Sequence, residues 1–280
     1  MPTLGVIGGS GLYELTGIGP TEEIAVETPY GAPSDAVVRG RVGNTSLLFL
    51  PRHGRGHRTP PSAINYRANV CAMKKLGATH LVSVSAVGSM KEEIRPGDLV
   101  IVDQFIDLTK RRVSTFFDAN VAAHVAFADP VCPLLAAATA AAAERAGASV
   151  HRGGTYVCIE GPQFSTRAES LLYRSWGVSV IGMTNMPEAK LAREAELPYA
   201  TIAVATDYDC WHEAEEDVTV DAVVAVLKKS LETTKRLLLE LAPALPDPAQ
   251  SPAHGALRSA ILTDKSVISQ AARAELAWLL

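Results

Sequence analysis

Seven short apolar runs, LGVIGG, LLFLP, HLVSVSAVG, DLVIVDQFID, TYVCI, VSVIGM and YATIAVATD, recur between residues 4 and 207. They are apolar on successive residues instead of every second one, the pattern of strands covered on both faces. Helical patterns lie between several of them. Segment 62–77 ends in Lys74, Lys75 and Gly77, segment 133–147 is alanine-rich and closes on Gly147, and residues 187–196 open with Pro187 and Glu188. Cations and glycine at a helix end, and proline at its start, are the expected punctuation. Alternation of strand and helix predicts an α/β fold: a single domain with a mixed, mostly parallel central sheet flanked by helices, its ligand held by loops at strand ends. Residues 217–242 read as a long helix whose Val220, Val223, Val224 and Leu227 form one apolar stripe.

With 280 residues, 48% of them hydrophobic, the chain has material for a sizeable core, and no internal repeat is present. Its net charge of −4 and scattered Lys and Arg offer no basic face, which argues against a nucleic-acid polymer as partner. No apolar stretch reaches the roughly 18 residues needed to span a bilayer, so no membrane partner is expected. MPTLGVIGG lacks the signature of a signal peptide, and Cys71, Cys132, Cys158 and Cys210 are far apart with no metal-type spacing. The expectation is a reduced, cytoplasmic protein without a metal.

Five segments carry polar residues at the ends of apolar runs. GGSGL, with Ser10, lets backbone N–H groups approach an anion, or simply makes a tight turn; it fails both the dinucleotide and the P-loop patterns. PRHGRGHRTPP gathers Arg52, His53, Arg55, His57 and Arg58. A guanidinium beside an imidazole suits a small oxyanion, the alternative being solvated loop charge. VSVSAVGSM leaves Ser85, Ala86 and Gly88 at a strand end, as ligand contacts or as core packing. EGPQFSTRAES and IGMTNMPE offer the flat face of Phe164 and the hydroxyl of Thr184 near a helix start, where anions are favoured, or else a loop plug and an N-cap. Finally ATDYDCW places Asp207 and Asp209 two apart, so that in extended backbone both point the same way. Metal binding, glycosidase-type acid and base, recognition of a heterocycle and capping of the next element are all open to such a pair.

GVIGGSGL, ETPYGAPSDA, PRHGRGH, INYRAN, GDLVIVDQFIDLT, IEGPQFSTRAES, MTNMPE and ATDYDCW, in this order, resemble the trimeric branch of the purine nucleoside phosphorylase family. The resemblance runs from about Gly5 to Leu241. It implies a nucleoside phosphorylase domain over residues 1–245, with 246–280 a linker plus a C-terminal helical extension packing on the same or a neighbouring subunit of a homotrimer. It implies a nucleoside of purine, ribose and a 5'-methylthio group, split by inorganic phosphate as co-substrate, without a cofactor. Ser10, Arg52, His53, Ser85, Ala86 and Thr184 would hold phosphate, and family members often carry Thr where this chain has Ser10 and Ser85. Met183 would lie against the ribose, Phe164 would cover the base, and Asp207 and Asp209 would read the purine edge. A neighbouring subunit would bring His124, and by a looser correspondence Ile268, to the 5' group.

The chemistry of such a reaction fits these residues. Breaking the glycosidic bond creates a cationic sugar and an electron-rich purine, so an anion is needed below the sugar and a proton donor at the base. Asp207, kept neutral by burial and by the like charge of Asp209, would be that catalytic donor. Asp209 as acceptor favours a 6-amino purine, because a 6-oxo group would leave it facing an oxygen. Relatives preferring 6-oxo purines have Asn near the position of Asp207 and Glu where this chain has Ser165. Val220, Val223 and Val224 would form an apolar wall for a methylthio group. The alternative is a phosphorylase for 6-oxopurine nucleosides such as methylthioinosine, inosine or guanosine; a non-catalytic nucleoside sensor on the same scaffold is the reading from another class.

Overall fold

The sheet is organised around one strand, β5 (His80–Ser89), which hydrogen-bonds three others. The computed structural model describes residues 1–9, 18–118, 120–212 and 219–280. Before β5 the chain forms β1 (Thr3–Gly8), β2 (Glu22–Ile24), β3 (Val37–Val42), β4 (Thr45–Pro51) and helix α1 (Tyr66–Lys75). After it come β6 (Leu99–Val102), β7 (Gln104–Asp107), α2 (Pro133–Arg145), β8 (Val150–Arg152), β9 (Thr155–Cys158), α3 (Arg167–Ser175), β10 (Val180–Gly182), α4 (Asn185–Glu194), β11 (Tyr199–Asp207), α5 (Val220–Leu241) and α6 (Gln270–Leu276). All strands join one mixed sheet, parallel at β1–β4, β1–β5, β5–β11, β6–β8, β7–β9 and β9–β10, and antiparallel at the remaining pairs.

Both faces are covered, as the unbroken apolar runs require. Leu4, Val6, Val82, Val84 and Val204 pack on one side with Leu135 of α2 and Leu237, Leu238 and Leu241 of α5. On the other side Ile7, Leu48, Leu81 and Ala203 meet Val70 and Met73 of α1 and Ala189, Leu191 and Ala192 of α4.

The edges of β5 position the site. One edge pairs β11 continuously from Leu81 to Val87. On the other edge β1 stops at Ser83 and the antiparallel β10 begins only at Gly88. Among the described residues, 84–87 therefore have no strand partner on that side, and the sheet is split there, the kind of place where α/β folds hold ligands.

The chain beyond residue 246 is neither a free linker nor mainly helical. Residues 248–250 make a single 3₁₀ turn, the only α-helix after it is α6, and Ser251 and Ala253 are buried. Leu257, Ala260, Ile268, Ala272 and Leu276 belong to the same core as α1 and α4, and an isolated bridge joins Ala123 to Ile261. Trp278 lies 4.9 Å from Phe116, edge to face. Removing one anchor of this segment leaves a cavity in the main core, so Leu276→Ala is expected to lower stability by about 2–5 kcal/mol in urea unfolding. An unchanged midpoint would mean that the segment is not part of the cooperative unit.

Candidate active site

Strand ends and residues of α5 from Val220 to Thr234 enclose a cavity of about 740 Å³. Arg52, His53, Ser85, Ala86, Phe164, Ser165, Met183, Thr184, Asp207, Asp209, Val220, Val223 and Val224 all line it. Ser10 lies outside the described residues. His124 and Ile268 do not line the cavity of their own chain. His124 is exposed, but Ile268 is only 8% exposed and packs in its own chain's core. That burial corrects the expectation for Ile268, since a side chain enclosed by its own fold has little surface left for a neighbour.

At one end of the cavity the sheet is split, and the gap is filled by side chains. Arg52, at the end of β4, is 2% exposed. Its Nε donates to Glu188 Oε2 at 2.9 Å, Nη1 to the Val84 carbonyl at 2.9 Å, and Nη2 to the Ile7 carbonyl, Ser83 Oγ and Glu188 Oε1 at 2.9, 2.6 and 3.2 Å. Four of the five guanidinium hydrogens are thus taken by the protein, leaving one on Nη1. Glu188 is fully buried, and Tyr199 donates to its Oε1 at 3.0 Å. Because the Val84 carbonyl faces the gap, Ala86 two residues on presents its N–H on that same side, a backbone donor without a strand to accept it.

Hydroxyls surround this donor. Ser85 Oγ lies 3.1 Å from Thr184 Oγ1 and 3.3 Å from the Tyr156 hydroxyl, which also accepts from the Thr184 N–H at 3.5 Å. Thr184 precedes α4 without capping it, so its hydroxyl is not needed by the helix. Tyr156 can sit there only because residue 182 is glycine: a Cβ at that position would collide with the phenol oxygen. His53 completes this end, its Nδ1 2.8 Å from the Thr59 carbonyl and its ring stacked on His57 at 4.1 Å. Burial, and secondarily the Arg52 charge, hold its pKa at about 4, so the ring is neutral at ordinary pH.

Asp207 and Asp209 line the same cavity, but not by the extended geometry expected of residues two apart. A bulge breaks the β5–β11 register between Ala205 and Asp207, and Asp209 has a left-handed backbone with φ of 51°. The turn brings the Asp209 N–H to Asp207 Oδ1 at 2.8 Å, while Thr206 Oγ1 donates to Asp207 Oδ2 at 2.6 Å. Gly88 gives both acids room: a Cβ there would lie 3.0 Å from Asp207 Oδ1 and 3.3 Å from Asp209 Cβ. Burial raises both carboxyl pKa values, and the Asp209 charge raises that of Asp207 further. Phe164 and Met183 also line the cavity, and Val220, Val223 and Val224 give it an apolar wall.

Arg112 and Tyr156 were not foreseen as parts of the site, and Glu188 was noticed only as a helix opener. Arg112 donates to the carbonyls of Met183 and Met186 at 2.6 Å each and of Glu160 at 2.8 Å, joining the loop that carries Phe164 to the stretch that carries Met183 and Thr184. In KRR it looks like solvated charge. Breaking a buried pair by neutralising one partner costs about 3–5 kcal/mol. Glu188→Gln is therefore expected to destabilise the protein by that order in chemical denaturation, and a change below 1 kcal/mol would show that Arg52 does not depend on it.

The matches to known proteins agree with this geometry. The model of the family described as Phosphorylase superfamily matches residues 3–243. An S-methyl-5'-thioadenosine phosphorylase of Geobacter sulfurreducens is 59% identical over 266 residues, covering 95% of this chain and 93% of that protein. The crystal structure of a methylthioadenosine phosphorylase sourced from an antarctic soil metagenomic library has a TM-score of 0.94 at 47% identity, covering 99% of this chain and 98% of that one. Methylthioadenosine phosphorylase from Schistosoma mansoni in complex with adenine has a TM-score of 0.87 at 37% identity, covering 94% and 99%. Since the matched span runs from the first strand to the end of the long helix, taking in the split sheet and the cavity, the chain belongs to the phosphorylase superfamily.

Proposed function

We propose that the protein cleaves S-methyl-5'-thioadenosine with inorganic phosphate, giving adenine and 5-methylthioribose 1-phosphate. The observation that carries this reading is one cavity lined both by a hydroxyl- and amide-rich pocket at the split in the sheet and by two carboxyls whose pKa values burial raises. In this reading Thr184, Ser85, the Ala86 amide and the remaining Arg52 hydrogen hold phosphate, with Ser10 as a further ligand by resemblance. Met183 contacts the ribose, Phe164 covers the base, and Val220, Val223 and Val224 enclose the methylthio group. Asp207 protonates the departing purine while Asp209 accepts from its 6-amino group; Ser165, small where a glutamate would favour 6-oxo purines, supports the same preference. The relatives named above support the substrate, and the neutralising environment of the acid pair supports the proton donor.

The proposal extends to a homotrimer in the cytoplasm, in which the exposed His124 of each chain approaches a neighbour's 5' pocket, and to a reaction that uses no cofactor. Among the described residues no helix is long and apolar enough to cross a membrane.

Two measurements test the reading. Phosphate-dependent adenine release is expected from methylthioadenosine, with a larger kcat/KM than for methylthioinosine; the reverse order would replace adenine by a 6-oxo base. Asp207→Asn is expected to lower turnover by about 100- to 10,000-fold, the range for loss of a general acid. The same variant should be more heat-stable at neutral pH. Folding raises the Asp207 pKa, so the native state holds a proton that the unfolded chain has released, and stability is lost as pH rises through that window. The neutral amide removes this cost, and its advantage should shrink as pH falls below the raised value. A variant with wild-type turnover would take Asp207 out of the acid role, and one less stable than wild type would show that its charge is not disfavoured by the fold.

A further inference from the structure

His53 is placed at the oxyanion end of the cavity, but its chemistry is not that of a cation. The Thr59 carbonyl can only accept, so the 2.8 Å contact fixes the proton on Nδ1. The second ring nitrogen, Nε2, has no hydrogen-bond partner among the described residues, and the ring borders the cavity. A second proton is disfavoured chiefly by burial of the ring, and further by Arg52, its neighbour in sequence, and by His57 stacked on it, which together outweigh the hydrogen bond to Thr59. Its pKa near 4 agrees with that geometry. Nε2 therefore offers a lone pair and no hydrogen.

Nor does Arg52 supply a free positive charge, since Glu188 meets it through two oxygens. The oxyanion pocket is built from neutral donors, one remaining Arg52 hydrogen and one acceptor. An ion whose oxygens are all bare would set an oxygen lone pair against Nε2. An ion of the same shape carrying one O–H would turn that contact into a hydrogen bond.

We propose that His53 is a specificity-determining residue that selects a protonated oxyanion, accepting a hydrogen bond at Nε2 from the O–H of hydrogen phosphate and thereby disfavouring sulfate. The inference deepens the phosphate reading above and rests on it. Hydrogen arsenate, which keeps an O–H, belongs to the accepted class, and the distinction from sulfate is one of hydrogen-bond sign instead of size or net charge.

Calorimetric titration of the nucleoside-free enzyme at pH 7.5 with phosphate and with sulfate tests this directly. Phosphate is expected to bind at least about tenfold more tightly than sulfate, the effect of one reversed buried hydrogen bond. His53→Gln, whose amide can turn to donate, is expected to bring the two affinities to within a few-fold of each other. Nitrogen NMR of the wild-type imidazole in the presence of phosphate reads the tautomer independently of that variant's folding; a proton on Nδ1 alone is expected. Equal binding of sulfate and phosphate by the wild type, or a proton on Nε2, would overturn the proposal. Adenine release is assayed separately: its absence with phosphate would reject phosphorolysis, while the binding ratio and the tautomer would still decide the role of His53.

Discussion

The contact between Arg52 and Glu188 holds together the part of the fold on which the cavity depends. Where β1 ends and β10 has not begun, β5 lacks a strand on one side, and exposed carbonyls there would otherwise be left unpaired. The guanidinium takes the place of that strand: it bonds the carbonyls of Ile7 and Val84 while its ion pair with Glu188 ties in α4, and Tyr199 adds β11. A buried pair of this kind is not in itself a strong source of stability, because both charges leave water. Its contribution is geometric, since the extra hydrogen bonds satisfy both partners and fix how far the sheet opens.

Close backbone approach does the same for the other groups. Gly88 leaves space in which two carboxyls meet, and Gly182 leaves space for the Tyr156 hydroxyl beside Ser85 and Thr184. Neither glycine has a positive φ, so what matters at these positions is the missing side chain and not conformational freedom. The acids then reach one another through a bulge and a left-handed residue, at the end of a strand whose preceding residues are all buried.

What could be read in the sequence follows from this construction. Apart from the half-exposed β7, the seven apolar runs correspond to doubly covered strands because burial on both faces leaves a local signal. DLVIVDQFID is one run in sequence but two strands in space, divided at Asp103, whose carboxylate accepts from the Gly154 N–H at 3.0 Å. Strands β2, β3 and β8 carry charged residues and lie toward sheet margins, so no apolar run announced them. Helix α3 is legible from its start, since Thr166 and Glu169 form a capping box. The cavity residues were found as strand-end motifs, helped by a family resemblance. Glu188 was not, because its partner is 136 residues away and nothing local distinguishes a buried carboxylate from a solvated one. The C-terminal pattern is helical at α6, whose Ala272 and Leu276 are buried, while Leu257, Ala260 and Ile268 serve the core through turns and bends, where helical spacing carries no information.

The neutral character of the oxyanion pocket bears on the proposed reaction as a whole. A free arginine and a protonated histidine would bind phosphate by cancelling its charge, and a cancelled charge does little for the cationic sugar that forms as the glycosidic bond breaks. With Arg52 already paired and His53 neutral, the phosphate of the proposed reaction would be held by hydrogen bonds and would keep most of its field. Burial raises both acids, which in the proposed reaction favours a proton held for the departing base. In the proposed reaction the cavity would set an unquenched anion and a protonated acid about one bond, each maintained by withholding from it the countercharge that a simpler binding site would provide.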